Sequence, residues 1–307
     1  MSIELIFWIA FVFVFFTIMS FDLFATGRRT HAMNVREAFF WSAVWIITSL
    51  LFGLAIYLFY PDGHTKAVEF ITAFIIEKSL SVDNLFVFIL IFSAMGIKPI
   101  NQPRILKWGI FGAVILRILF ILVGVGLMHA FSFMIYIFGA ILVFTAIKMV
   151  LSGDEEIHPD KNPLIRGAKK IFNIDTTAAT DHFFIKKGKI VYATMAFLTL
   201  ILVESTDVVF AIDSIPAVLA ISHDPFIAIT SNLFAILGLR ALYFALAGIL
   251  ELFRYLKYGI GFILLFIGVK MLVSGFYHIS VNISLLVIAV SLTISILASV
   301  IIKPQKK

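Results

Sequence analysis

The chain has 307 residues, 62% of them apolar and 14% charged, with a mean hydropathy of +1.08 and a formal net charge of +6. A soluble domain is about 45–50% apolar and about 25% charged, so the balance excludes a soluble globule, and its hydrophobicity excludes disorder. Cysteine is absent, which removes disulfides, thiolate metal sites and cysteine catalysis. The 34 phenylalanines lie in long runs with no period of two. A spanning barrel needs that alternation, so an all-α polytopic membrane protein is expected, its backbone satisfied within helices.

Nine apolar stretches approach the roughly 20 residues that a bilayer span needs: about 4–24, 38–59, 67–94, 108–128, 130–150, 190–221, 226–248, 258–274 and 281–302. Only Met1, Ser2 and Ile3 precede the acidic Glu4, so the positive region of a cleavable leader is missing and the first stretch is expected to stay as an anchor. The fourth and fifth meet at His129 with almost no loop. The third and sixth are longer than a ~30 Å hydrocarbon core requires at ~1.5 Å per residue, which predicts long, tilted or broken helices.

Basic residues set the orientation. Eighteen of the 24 lysines and arginines fall in the loops after spans 1, 3, 5 and 7 and in the C-terminal tail, and Lys66 alone falls on the other side. The pattern predicts an outside N-terminus and a cytoplasmic C-terminus. The net charge is then a topology signal, and nucleic acid is not an expected partner. The 151–189 loop is the one extended polar segment, either a solvated connector or a regulatory, partner-binding loop.

An internal repeat organises the middle of the chain. Residues 139–153 (GAILVFTAIKMVLSG) and 261–275 (GFILLFIGVKMLVSG) are identical at eight of fifteen positions, including Lys148/Lys270. Earlier, Arg117 in LRILF matches Arg240 in LRALY, and Asp83 in DNLF matches Asp207 in DVVF. Spans 3–5 and 6–8 are therefore read as two copies of a three-span unit. Three is odd, so the copies enter the membrane from opposite sides. The expected architecture is about nine transmembrane helices containing an inverted repeat of two three-helix units. Its parts are an N-terminal pair of spans (1–66), repeat 1 (67–153), a cytoplasmic loop (154–189), repeat 2 (190–275), and a last span with a basic tail (276–307). Such repeats usually serve alternating access, with the site near the midplane.

Charge inside a bilayer is costly, at least ~2.5–3.5 kcal/mol at mid-helix. Span 3 nevertheless carries Glu77, Lys78, Asp83 and Asn84, and span 6 carries Glu204, Asp207 and Asp213, with Ser214 beside them. Lys78, Arg117 and Arg240 cannot neutralise five acids, which points to a protonatable, cation-binding cavity. Glu204 and Asp207, three residues apart, share a helix face. Asp213, six residues on, would point away unless the helix breaks at Pro216, which disrupts the bond to the Ile212 carbonyl. Carboxylate, amide and hydroxyl oxygens suit Mg²⁺, Ca²⁺ or Mn²⁺; monovalent cations or protons stay open. Asp22, in FDLF, either joins the site or sits at the interface. Arg117 and Arg240 either pair with site carboxylates or act as gates. Lys148 and Lys270 read as snorkelling anchors.

The stretches EKSLSVDNLFVF (77–88) and ESTDVVFAIDSIPAV (204–218) resemble the two signature motifs of the TerC family of bacterial integral membrane proteins. AFFWSAVWI and LFAILGLRALYF fit the same family, and the length with its central loop resembles the Alx-like branch. The resemblance covers about residues 15–275 and implies Asp83, Asn84, Glu204, Asp207, Asp213 and Ser214 as motif positions, with Glu77 also matching. It implies manganese efflux, with Mn²⁺ as cargo and no resident cofactor, and for some members a role beside the secretion machinery. The expected function is export of a divalent cation by alternating access, coupled to protons at the same carboxylates. The alternative is a membrane partner in the maturation of exported proteins. No HExxH, GxSxG or cysteine supports an enzyme.

Overall fold

The computed structural model describes residues 2–21, 35–151, 162–175, 182–188, 190–247, 255–277 and 279–301, without the Asp83 side chain. Asp22 lies outside them, as does most of the acidic part of the central loop. Eleven helices are described: α1 (Ile3–Ser20), α2 (Val35–Phe59), α3 (Gly63–Ala94), α4 (Gln102–Ala130), α5 (Met134–Leu151), α6 (Pro163–Ile171), α7 (Met195–Leu219), α8 (Pro225–Ile236), α9 (Leu239–Ala247), α10 (Leu256–Leu272) and α11 (Val281–Ile301). Six of them, α1, α2, α4, α5, α7 and α11, are long and apolar enough to cross a membrane; α8 and α9 together, bent by 42°, make a seventh. The 32-residue α3 is interrupted by the charges of Lys66, Glu69, Glu77, Lys78 and Asp83, and α10 has 17 residues.

The all-helical expectation needs one correction. Residues 190–194 form a strand, β3 (Ile190–Thr194), which pairs in parallel with β1 (Asn173–Asp175) and antiparallel with β2 (Phe184–Lys187). Alternation across 190–194 was masked by the apolar run behind it. The overlong sixth stretch is thus a strand followed by a 25-residue helix, whose first turn is capped by Thr194 Oγ1 accepting from the Phe197 N–H.

The helices pack by recognisable stripes. The buried face of α1 is Phe7, Phe11, Phe15 and Met19, every fourth residue, and its rings meet Phe52 of α2 and Phe226 and Phe234 of α8. The buried face of α2 is mostly small (Ala38, Ser42, Ser49, Gly53), which lets backbones approach closely where lipid supplies no hydrophobic drive. Every residue of α8 from Phe226 to Ile236 is buried, as expected of a helix enclosed on all sides. Asp224 Oδ1 caps α8 by accepting from the Phe226 N–H at 2.9 Å.

Around α8 the packing is reciprocal. α4 lies along α7, α3 lies along α8, and α5 lies along α10. At the α5–α10 crossing the backbones touch: a Cβ on Gly139 would come within 2.9 Å of the Gly268 carbonyl, and one on Gly268 within 2.8 Å of the Gly139 carbonyl. Gly261 makes the matching approach to Val150 and the Ala146 carbonyl. Gly268→Leu should therefore destabilise the protein by about 1–3 kcal/mol, the usual cost of overpacking. Gly126→Leu, where a Cβ meets nothing within 4 Å, should leave the thermal midpoint of the detergent-solubilised protein unchanged.

Candidate functional site

Helix phase decides which acids meet. On α7, Ser214 is seven residues beyond Asp207 and returns to within about 20° of it, whereas Asp213 lies about 240° around. Asp207 and Ser214 are accordingly buried together, facing α4. The expected break at Pro216 is not found: α7 runs unbroken through Pro216 to Leu219. Asp213 consequently keeps its regular-helix direction and accepts a hydrogen bond from Thr145 Oγ1 of α5 at 2.6 Å.

The centre of the site is a guanidinium. Arg117 of α4, 2% exposed, pairs through Nη1 with Glu77 Oε1 of α3 and is 3.0 Å from both Ser214 Oγ and Asn232 Oδ1. Its Nη2 lies 3.8 Å from Asp207 Oδ1. Asn232 of α8 donates from Nδ2 to Glu77 Oε2 at 3.1 Å, closing the ring. Four helices thus contribute one polar group each, except α7, which gives two. Among the described residues Asp207 Oδ2 is buried without a hydrogen-bond partner, so this carboxylate is held at one oxygen and open at the other.

The other sequence-selected residues lie around this centre. Glu204, half-buried one turn before Asp207, lies against Gly112 of α4, where a Cβ would overlap its carboxylate. Asn84 is buried on α3, and Arg240 is buried on α9. Among the described residues Lys78 pairs with no acid: its Nζ donates to the carbonyls of Ala235 (3.0 Å) and Leu237 (3.2 Å), at the end of α8. The helix break expected in α7 is found there instead. Gly238, at φ +76°, turns the chain into α9 against Trp45, a conformation open to glycine at no steric cost. Among the described residues no three histidine, aspartate or glutamate side chains converge tightly enough to hold a metal ion.

Asn232 is the site residue that sequence reasoning missed. The available signal was the polar triplet Thr230–Ser231–Asn232 inside an apolar stretch. Thr230 and Ser231 hydroxyls donate to the carbonyls of Phe226 and Ala228 in their own helix, leaving Asn232 to reach across.

Beyond the centre, at the ends of α4 and α7 remote from the basic loops, lies a cavity of about 220 Å³. His129, Ser132 and His223 line it among Val125, Met128, Ile135 and Leu219. Burial holds His223 below the ordinary imidazole range; Glu69 opposes the shift, and His129, Lys66 and Lys270 add to it.

A model of the integral membrane protein TerC family matches residues 62–307. The chain belongs to that family. Curated relatives cover nearly the whole chain. A Salmonella typhi protein named "Putative membrane-bound redox modulator Alx" is 43% identical over 306 residues, 97% of this chain and 95% of the relative. An Escherichia coli protein of the same name is 46% identical over 285 residues, 91% and 89%. An uncharacterized membrane protein of Myxococcus xanthus is 41% identical over 294 residues, 96% and 92%. No solved structure matches.

Removing the guanidinium leaves two buried carboxylates uncompensated, and breaking a buried pair from one side typically costs about 3–5 kcal/mol. Arg117→Met should lower the stability of the purified protein by about that amount. Adding Glu77→Gln to it should recover a large part of the loss, which a thermal-unfolding double-mutant cycle measures.

Proposed function

We propose that this TerC family protein exports a divalent metal cation, Mn²⁺ first among candidates, by alternating access. The observation that carries the reading is the Arg117 pocket: a tethered cation whose polar partners among the described residues are carboxylate, amide and hydroxyl oxygens. That donor set fits a hard divalent ion when the guanidinium swings away. Charge counting points the same way. Glu77 and Asp207 together carry two negative charges, Arg117 cancels one, and a proton on Asp207 would cancel the other. A divalent cation replaces both, which couples metal to protons at the same two carboxylates.

The reciprocal packing supports an inverted repeat as the moving frame. The repeat equates α3 with α7, α4 with the α8–α9 pair, and α5 with α10. Exchanging partners by that rule turns the α4–α7 contact into the α8–α3 contact, and the Gly139–Gly268 approach into Gly261–Ala146. With α3 and α10 also counted as spans, the chain crosses the inner membrane nine times, N-terminus outside and C-terminus in the cytoplasm. Asp83, which the repeat relates to Asp207, is the matching acid of the first copy; Glu204 and Asp213 serve the path on either side of the centre. Arg117 and Arg240 act as gates. Mn²⁺ is cargo and not a resident cofactor. The pocket pairs no nucleophile with a base, so no catalysis is proposed. With no cysteine in these 307 residues, the redox role in the relatives' name reaches this chain only indirectly, through the metal.

Everted membrane vesicles containing the protein should accumulate Mn²⁺, and Asp207→Asn should abolish the uptake while the variant remains in the membrane. Asn232→Ala, which leaves both acids in place, should slow uptake without abolishing it. Undiminished uptake by Asp207→Asn removes the site assignment. A second reading has its own observation: the apolar, lysine-flanked surface of Phe172, Phe184 and Ile190 on the cytoplasmic module is exposed and suits a partner in the maturation of exported proteins. Replacing residues 162–188 by a flexible linker separates the two, since the partner reading requires transport to survive and the cellular phenotype to vanish.

A further inference from the structure

The cavity holding His129 and His223 lies along the same two helices as the Arg117 pocket. From Arg117 to Val125 is eight residues of α4, about 12 Å, and from Ser214 to Leu219 is five residues of α7, about 7.5 Å. Between the two lie Ile121, Ile215 and Leu219, all buried. Gly124 lets α4 close on this plug: a Cβ there would come within 2.8 Å of Leu219 Cδ1 and 3.4 Å of Ile215 Cγ2. Polar groups therefore occur at the centre and again at the cavity, separated by aliphatic side chains. In a cavity otherwise lined mainly by Val125, Met128, Ile135 and Leu219, two imidazoles stand out chemically.

We propose that this cavity is a second cation site, in which His129 and His223 ligate a divalent transition-metal ion while water completes its shell. Imidazole binds such ions across the first-row series, with Ni²⁺ held more tightly than Mn²⁺. Two protein ligands give a loose site, and a path must bind weakly enough at its end for the ion to leave. Neighbouring cations are held by other partners: Lys66 lies 3.1 Å from Glu69 and 3.4 Å from Asp224, and Lys270 donates to Ser284 Oγ at 3.0 Å. The place of the cavity on an export path rests on the function proposed above; its metal chemistry does not.

Equilibrium dialysis of Ni²⁺ against the full chain in nanodiscs tests the site. The His129→Gln/His223→Gln double variant should lose one bound Ni²⁺ per chain relative to wild type, whereas Asp207→Asn should retain it. Equal binding by wild type and the double variant overturns the proposal. A measurement on unaltered protein guards against misfolding. Ni²⁺ should protect His129 and His223 from acylation by diethyl pyrocarbonate, read by peptide mass spectrometry, while His64 and His182 remain modified. Absence of that protection overturns the proposal as well. Vesicle uptake of Mn²⁺ is scored separately: loss of transport with intact Ni²⁺ binding removes the export reading alone, and the converse removes only the second site.

Discussion

The buried guanidinium of Arg117 is the contact on which the polar interior depends. Two carboxylates and a cation withdrawn from water each carry several kcal/mol of desolvation cost, which attraction between them repays only with good geometry and with hydrogen bonds on the remaining positions. Ser214 and Asn232 supply those bonds from α7 and α8, and Glu77 is bonded at both oxygens. The arrangement fixes the relative rotation of four helices, because turning any one of them by a residue withdraws its polar group from the ring. Apolar packing alone would leave these helices free to slide, since in lipid a leucine gains little by facing another helix over facing a lipid tail.

The second constraint follows from the first. Asn232 reaches the ring only because α8 is buried over its whole length, and a fully buried helix ending inside the protein leaves carbonyls without partners. Lys78 answers that need, one residue after Glu77 on α3. The adjacent pair thus serves two tasks on neighbouring faces: the acid holds Arg117, and the ammonium holds the end of α8. Glu77–Lys78 in the sequence resembles an ion pair, yet each charge is spent on a different helix.

Much of this was legible in the sequence, and the exceptions have physical causes. Hydropathy located the helical stretches because a bilayer demands about 20 apolar residues from each span. The heptad phase of Asp207 and Ser214 and the divergent direction of Asp213 follow from 3.6 residues per turn, and the structure keeps that geometry. The misplaced break arose from weighing proline above glycine. Pro216 falls in the last turn of α7, where little helix remains to disrupt, whereas Gly238 sits in mid-stretch with a left-handed φ that a proline cannot adopt. The role of Asn232 stayed hidden because a single amide in an apolar stretch has no distinguishing spacing, and the capping role of Lys78 because its acceptors are backbone groups about 160 residues away.

On the repeat proposed above, the break at Gly238 makes the two copies unequal. α4 is one continuous helix of 29 residues, while its counterpart is divided into α8 and α9 with a 42° bend. The matching position in α4 is Ile115, whose β-branched side chain disfavours the left-handed φ that Gly238 adopts, so the difference in shape is written into the sequence. On the alternating-access reading the inequality has a use: a site open to one side needs one copy bent and the other straight. The bent copy here is held by Lys78 from the other repeat, and the straight one carries Arg117 into the shared pocket. Both cations, Lys78 on α3 and Arg117 on α4, come from the first copy and reach α8 of the second, so on that reading releasing Arg117 to admit a metal ion would also loosen the contact between α3 and α8 that keeps the bend.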